Sequence, residues 1–262
     1  MAIFITNERL FFSLTMSAIF LGSVVLIHEG GHLLAARLAG VVVERATIGF
    51  GPVLLAHQFG DTVYSLRLLP LGGSITMRGE ETDDEALETP AEPGEYRAVS
   101  LSRRLAIILA GPLSNIGAAY AILLGLALVY GQAWPFITAA GGLGRLAFHL
   151  PELFTSGLGP LAGLRTLILT DGLLDLSNGF QLWLALLVVV HFSIGLLNLL
   201  PLPPLDGGQA GLALVERYCQ TKRARVLTRR FALTSGTFVV VGLVILNGLD
   251  LIGFLSRIVS GT

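Results

Sequence analysis

The sequence predicts an all-α polytopic membrane protein, a four-span bundle of transmembrane helices with one small membrane-associated β-hairpin loop on its cytoplasmic side. Three observations lead there. Apolar residues make up 53% of the 262-residue chain and charged residues 13%, where a soluble domain carries about 25% charged residues. Four stretches, about 10–33, 105–131, 180–200 and 231–254, are apolar over lengths that suit a bilayer crossing. The basic residues, finally, fall unevenly between the loops that join those stretches.

The first stretch opens with 18 uncharged residues, 10–27. A cleaved signal peptide would need a small-residue cleavage site after the apolar run. Here the run continues into His28, Glu29 and a helical pattern through Ala39, which favours a retained helix. The second and third stretches hold no Asp, Glu, Lys or Arg, and the fourth has one acid, Asp250, near its far end. Orientation follows from Lys and Arg. The two loops after the first and third spans hold thirteen of them, from Arg37 to Arg104 and from Arg217 to Arg230, against four elsewhere (Arg9, Arg145, Arg165 and Arg257). Both large loops are therefore expected in the cytoplasm and both termini outside, as for a multi-pass protein of a bacterial inner membrane.

Between the first two spans, residues 47–77 show glycine punctuation and partial alternation, which reads as a β-loop. Residues 78–95 then hold eight acids with Pro90 and Pro93 and read as a solvated connector. Residues 132–178, on the outer side, are glycine-rich, with a surface-lying helix expected around 143–154. No period of 20–50 residues recurs, so the chain is not a solenoid, and 1–262 is expected to form a single domain. A formal net charge of −1 excludes the broad basic surface that nucleic-acid binding needs. The single cysteine, Cys219, has no internal partner and reads as structural, as do His57 and His149.

At the cytoplasmic end of the first span stands His28-Glu29-Gly30-Gly31-His32, an H-E-x-x-H motif. Residues four apart share one helix face, so both imidazoles can reach one ion. Glu29 projects beside them, placed to take a proton from water rather than to ligate. Zinc suits two neutral nitrogens. Two helix-end histidines bonded to each other would be the bland alternative, but polar side chains on an apolar helix are costly in lipid and usually functional. A catalytic zinc needs a third protein ligand. The long motif that adds a third histidine is excluded, because Ala35 and Leu38 stand at its positions. Glu44 lies nearby, and Asp206, in Asn198-Leu-Leu-Pro201-Leu-Pro203-Pro204-Leu-Asp206-Gly-Gly after the third span, is predicted at the same membrane depth as the histidines. Irregular backbone at that depth is tolerated only where it is buried or lines a cavity. His191, inside the third span, reads as a helix-packing residue bonded across the bundle.

H-E-x-x-H in a first span, together with N-x-x-P-x-P-x-L-D-G after a third, resembles the site-2 protease family of intramembrane zinc metalloproteases, most nearly its bacterial regulator-of-sigma-E branch. That resemblance implies one catalytic zinc held by His28, His32 and Asp206, with Glu29 catalytic and Asn198 contacting the substrate backbone. Gly49-Phe-Gly-Pro52 and Pro70-Leu-Gly-Gly73 resemble the family's membrane-associated β-hairpin. Gly111-Pro-Leu-Ser-Asn115 resembles the signature opening its second span and puts Asn115 among the expected substrate-binding residues. Gly159-Pro160-Leu161 resembles a segment shortly before the third span. One departure is plain: that branch inserts PDZ domains between the second and third spans, and the roughly 50 residues here are too few for one.

The expected function is hydrolysis of a peptide bond in or near the transmembrane segment of single-span membrane proteins. A helical peptide bond is closed to attack, so the substrate must unwind. Its extended segment is expected to add to a strand edge within 63–77. A metal-binding pseudoprotease or chaperone would keep the histidines without turnover, yet Glu29 is present. A transporter would show internal repeats or charges through the membrane, whereas the ionisable groups here gather at one face.

Overall fold

A computed structural model describes residues 7–80, 90–130 and 179–218. In order these form α1 (Asn7–Leu38), β1 (Val43–Phe59), β2 (Thr62–Met77), a 3-10 turn at Tyr96–Ala98, α2 (Leu101–Tyr130), α3 (Gly179–Asn198) and α4 (Asp206–Tyr218). Two units are distinguished, Met1–Asn198 and Leu199–Thr262.

This corrects the all-α expectation. The described residues include strands of 17 and 16 residues, so the small hairpin is a substantial sheet. Among the described residues two helices, not four, are long and apolar enough to cross a membrane, Ala18–Leu38 and Leu101–Leu126. The third predicted span is the 20-residue α3, within which Leu187–Asn198 forms a shorter apolar stretch. The fourth, 231–254, lies outside the described residues, as do Cys219, His149, the outer segment 132–178 and residues 81–89 of the acidic connector. Lipid-sized apolar runs were easy to read as helices, whereas the β-branched residues between Val43 and Met77 alternate only in part, and their pairing is long-range.

In the first unit, α2 packs against both α1 and α3. Ala119, Leu123, Val188 and Phe192 bury the α2–α3 seam. A second cluster, Ala36, Val41, Val43, Met77 and Ile107, ties the end of α1 to the sheet and to the start of α2. The chain leaves α1 through a Schellman turn. Val41 N–H donates to Ala36 O at 2.9 Å and Gly40 N–H to Arg37 O at 3.0 Å. Gly40 sits at φ +81°, a conformation that favours glycine. Val41 and Ala36, the residues joined by the longer of those loops, then share the second cluster.

The two strands pair antiparallel across the Gly60–Asp61 turn, from Phe59↔Thr62 through Leu55↔Leu66, and again at Ile48↔Gly73 and Val43↔Met77. Between these stretches the partner numbers rise together, Ala46↔Tyr64, Thr47↔Ser65 and Ile48↔Leu66. Residues 63–66 are therefore flanked on both sides, and a substrate strand cannot add there. The stretches paired on one side only are 55–59 and 73–77. Arg37, in the last turn of α1, fastens the sheet by donating to Thr62 Oγ1 (3.2 Å) and to the Tyr64 hydroxyl. At the end of the connector, Glu95 accepts from Arg97 and from Glu92 N–H. The Arg97 guanidinium holds the Glu95 carboxyl below the usual carboxylate range.

The second unit begins with the proline-rich loop. Leu205 N–H donates to Leu202 O (2.9 Å) and Gln209 N–H to Leu205 O (3.0 Å), so α4 starts directly from that loop with Asp206 as its first residue.

Candidate metal centre

The first unit brings together His28, Glu29 and His32 from α1, Asn115 from α2 and His191 from α3. The two motif histidines lie one turn apart, and their Nε2 atoms face each other at 3.3 Å. Two zinc–nitrogen bonds of about 2.0–2.1 Å at a tetrahedral angle put the nitrogens about 3.3 Å apart. The pair therefore fits two corners of a zinc tetrahedron.

Both rings are held from behind. His32 is buried and its Nδ1–H donates to the Ile107 carbonyl at 2.8 Å. A carbonyl can only accept, so His32 carries its proton on Nδ1 and presents a bare Nε2 toward His28. An outer hydrogen bond of this kind fixes ring and tautomer in metal sites. The close approach of α1 and α2 depends on two glycines. A Cβ at Gly111 would lie 2.2 Å from His32 Nε2, and one at Gly31 would lie 2.2 Å from Ser114 Oγ. The glycines inside the H-E-x-x-H turn and the G-P-x-x-N turn thus let the helices meet where the histidine sits. Small residues serve helix contact in this way in membranes.

On the other ring, His28 Nδ1 lies 3.2 Å from the Asn115 amide nitrogen, and Asn115 Oδ1 lies 3.0 Å from His191 Nδ1. Asn115 is 0% exposed and His191 1%. His191 does bond across the bundle, as expected, and its partner is the residue that touches a motif histidine. Asn115 spends its amide on two imidazoles, the buried His191 and the half-buried His28.

Glu29 lies against the sheet. A Cβ at Gly73 would stand 2.7 Å from Glu29 Cγ and 2.7 Å from the Thr47 carbonyl oxygen. The second glycine of Pro70-Leu-Gly-Gly73 therefore leaves room for the carboxylate side chain beneath β2. The sequence flagged that segment as a loop signature but not as a neighbour of Glu29. Asn198, the last residue of α3, is half-buried and donates its amide to Ile194 O at 3.0 Å, one turn back. Asp206 opens α4 in the second unit.

A family model of peptidase family M50 matches residues 16–243. A protein of Treponema pallidum (strain Nichols) named "Putative zinc metalloprotease" is 43% identical over 106 residues, 38% of this chain and 24% of that relative. A like-named protein of Clostridium acetobutylicum is 39% identical over 106 residues, 40% of this chain and 30% of the relative. One from Thermotoga maritima is 40% identical over 117 residues, 45% and 23% of the two chains. The matched stretch spans less than a third of the length of each of these relatives. With 228 of its residues under one family model, the chain belongs to peptidase family M50, the site-2 protease family.

Proposed function

We propose that the chain is an intramembrane zinc metalloprotease with one catalytic zinc, acting on single-span membrane proteins near the cytoplasmic face. The observation that carries this reading is the pair of Nε2 atoms 3.3 Å apart beside Glu29, with the His32 ring anchored on a backbone carbonyl. His28 and His32 would hold the metal, and Asp206 would supply the third ligand. That assignment rests on its place in the N-x-x-P-x-P-x-L-D-G motif and on a carboxylate's suitability for zinc. Bound there, zinc would lower the pKa of a water and polarise a carbonyl.

Glu29 takes a proton from the attacking water and returns it to the leaving amine. Its carboxylate is kept close to the sheet by the bare backbone of Gly73. The strand stretch 73–77, paired on one side only and starting at the base, is the edge to which an unwound substrate would add. Main-chain hydrogen bonds along that edge would bring the scissile bond past Glu29. Asn198, at the end of α3, would steady the substrate backbone. The burial of Asn115 favours a role behind His28 over substrate contact.

The test is direct. Purified protein in detergent is incubated with candidate single-span substrates, with and without a zinc chelator, and the products are mapped by mass spectrometry. Chelator-sensitive cleavage within or beside the substrate's span supports the reading. Cleavage that is indifferent to chelation and to Glu29→Gln would reject it.

A further inference from the structure

A line of hydrogen bonds runs through three helices, from His191 on α3 to Asn115 on α2, to His28 and His32 on α1, and back to the Ile107 carbonyl on α2. Two of its members, Asn115 and His191, are sealed from solvent at 0% and 1% exposure. Buried polar groups among apolar helices are costly unless bonded, so the direction in which this line donates has consequences along its whole length.

Followed as drawn, every bond runs one way. His191 Nδ1–H donates to Asn115 Oδ1, and Asn115 Nδ2–H donates to His28 Nδ1. A neutral imidazole holds one proton, so His28 then carries it on Nε2 and donates to His32 Nε2. His32 Nδ1–H donates to Ile107 O. In this direction His28 Nε2 cannot ligate a metal, because it bears the proton.

The opposite direction frees it. An amide oxygen and nitrogen occupy nearly the same volume, so Asn115 turned by 180° keeps the same neighbours. Oδ1 then accepts from His28 Nδ1–H, which leaves His28 Nε2 bare to match His32 Nε2. The turned amide points Nδ2–H at His191 Nδ1, and this is favourable only if that nitrogen is also bare, with the His191 proton on Nε2. His32 needs no such choice, since a backbone carbonyl fixes it permanently. His28 depends on an amide that fits both ways, and the direction of that amide is coupled to the tautomer of His191.

We propose that His191 is a positioning residue for the metal centre: by offering a bare Nδ1 to Asn115, it turns the amide so that His28 is held as the Nδ1–H tautomer and can bind metal. The inference rests on the reading of His28 and His32 as metal ligands. It goes beyond that reading by assigning a role to a span residue that touches neither metal nor substrate.

The test measures zinc affinity of the purified full chain in detergent by chelator competition. His191→Phe keeps a ring of similar size but offers no acceptor, and it should weaken zinc binding by about 10-fold or more, as loss of outer-shell partners does. Asn115→Asp can only accept from His28, whatever stands at 191, so in that background zinc affinity should no longer depend on the residue at 191. The decisive variant is His191→Phe combined with Asn115→Asp, which should recover the affinity that His191→Phe alone loses. A packing role for His191 would not be rescued this way. Wild-type affinity in His191→Phe, or an equal loss in both backgrounds, overturns the proposal.

Should His191→Phe fail to fold, nitrogen-15 chemical shifts of the zinc-loaded wild-type protein decide instead. They should show His28 protonated at Nδ1 and His191 at Nε2, and the reverse pattern at either ring refutes the relay. His28→Ala separates the two levels. Unchanged zinc affinity there would reject the metal centre itself, whereas a loss there with no effect of His191→Phe would reject only the relay.

Discussion

The two halves of the sheet share their strands but not their surroundings. The proximal half, 43–49 with 73–77, buries Val43, Ala46 and Met77 and lays Gly73 against Glu29. The distal half, residues 50–59, is exposed at every position, although it carries Phe50, Val53, Leu54, Leu55 and Phe59. Composition does not separate them. What separates them is whether α1 and α2 supply an opposing surface. The proximal half is held by the Schellman turn and by the second core cluster. The distal half is held by strand pairing and by local contacts such as Arg67 donating to Gly51 O, and an apolar surface of that kind marks a place for another apolar partner or for lipid. The sheet is thus anchored at one end only, against the helix that carries His28, Glu29 and His32.

The largest expected effects are at the proposed metal ligands. His28→Ala and Asp206→Ala should each lose most of the roughly one zinc per chain expected of a three-ligand catalytic site, measured by metal analysis, while Leu55→Ala keeps it. Full metal retention in Asp206→Ala would remove that residue from the ligand set.

Next in size is the base. Glu29→Gln should keep zinc and lose cleavage by about 100-fold or more, the scale of a general base. Gly73→Val tests the contact behind it. Its side chain collides with Glu29 Cγ, so cleavage should fall by about 10-fold or more through misplacement, with zinc content unchanged. Equal cleavage by Gly73→Val and wild type would mean that the proximal sheet does not position Glu29.

Stability sharpens the contrast further. Met77 is 7% exposed and Leu55 68%. Met77→Ala should cost about 2–5 kcal/mol, and Leu55→Ala less than about 0.5 kcal/mol, read from thermal unfolding in detergent. Similar losses at both would show that the distal half packs against the protein after all.

The smallest expected effect is electrostatic. Because Arg97 lowers the Glu95 carboxyl below its ordinary value of 4.5, the pair stabilises the fold above that value, and the contribution is lost as pH falls through the lowered folded pKa. Glu95→Gln should therefore be slightly less stable than wild type at pH 7, with the gap closing as pH falls through the lowered folded pKa. A gap that persists or widens in acid would contradict the sign.

The facing pair His28 and His32, the carboxylate Glu29 beside them and the family were legible because short-range spacing carries them. His28 and His32 share a helix face by periodicity alone, and the apolar runs that became α1, α2 and α3 announce themselves by length. The size of the sheet was not legible, because Val43↔Met77 and Ile48↔Gly73 are pairings across some 25–34 residues that no local alternation reveals. Val63 to Leu66 read as an edge for the same reason, and only the register showed neighbours on both sides.

The sequence by itself determined the chemistry on offer: two imidazoles and a carboxylate one turn apart at the end of an apolar helix. Only the tertiary structure decided what stands behind each of them. It set the Ile107 carbonyl against His32, the Asn115 amide between His28 and His191, and the side-chain-free backbone of Gly73 against Glu29. Those partners come from α2, α3 and β2, and which atoms meet is fixed by how closely helices and sheet can approach. That distance depends on side chains that are missing, at Gly31, Gly111 and Gly73, as much as on those that are present.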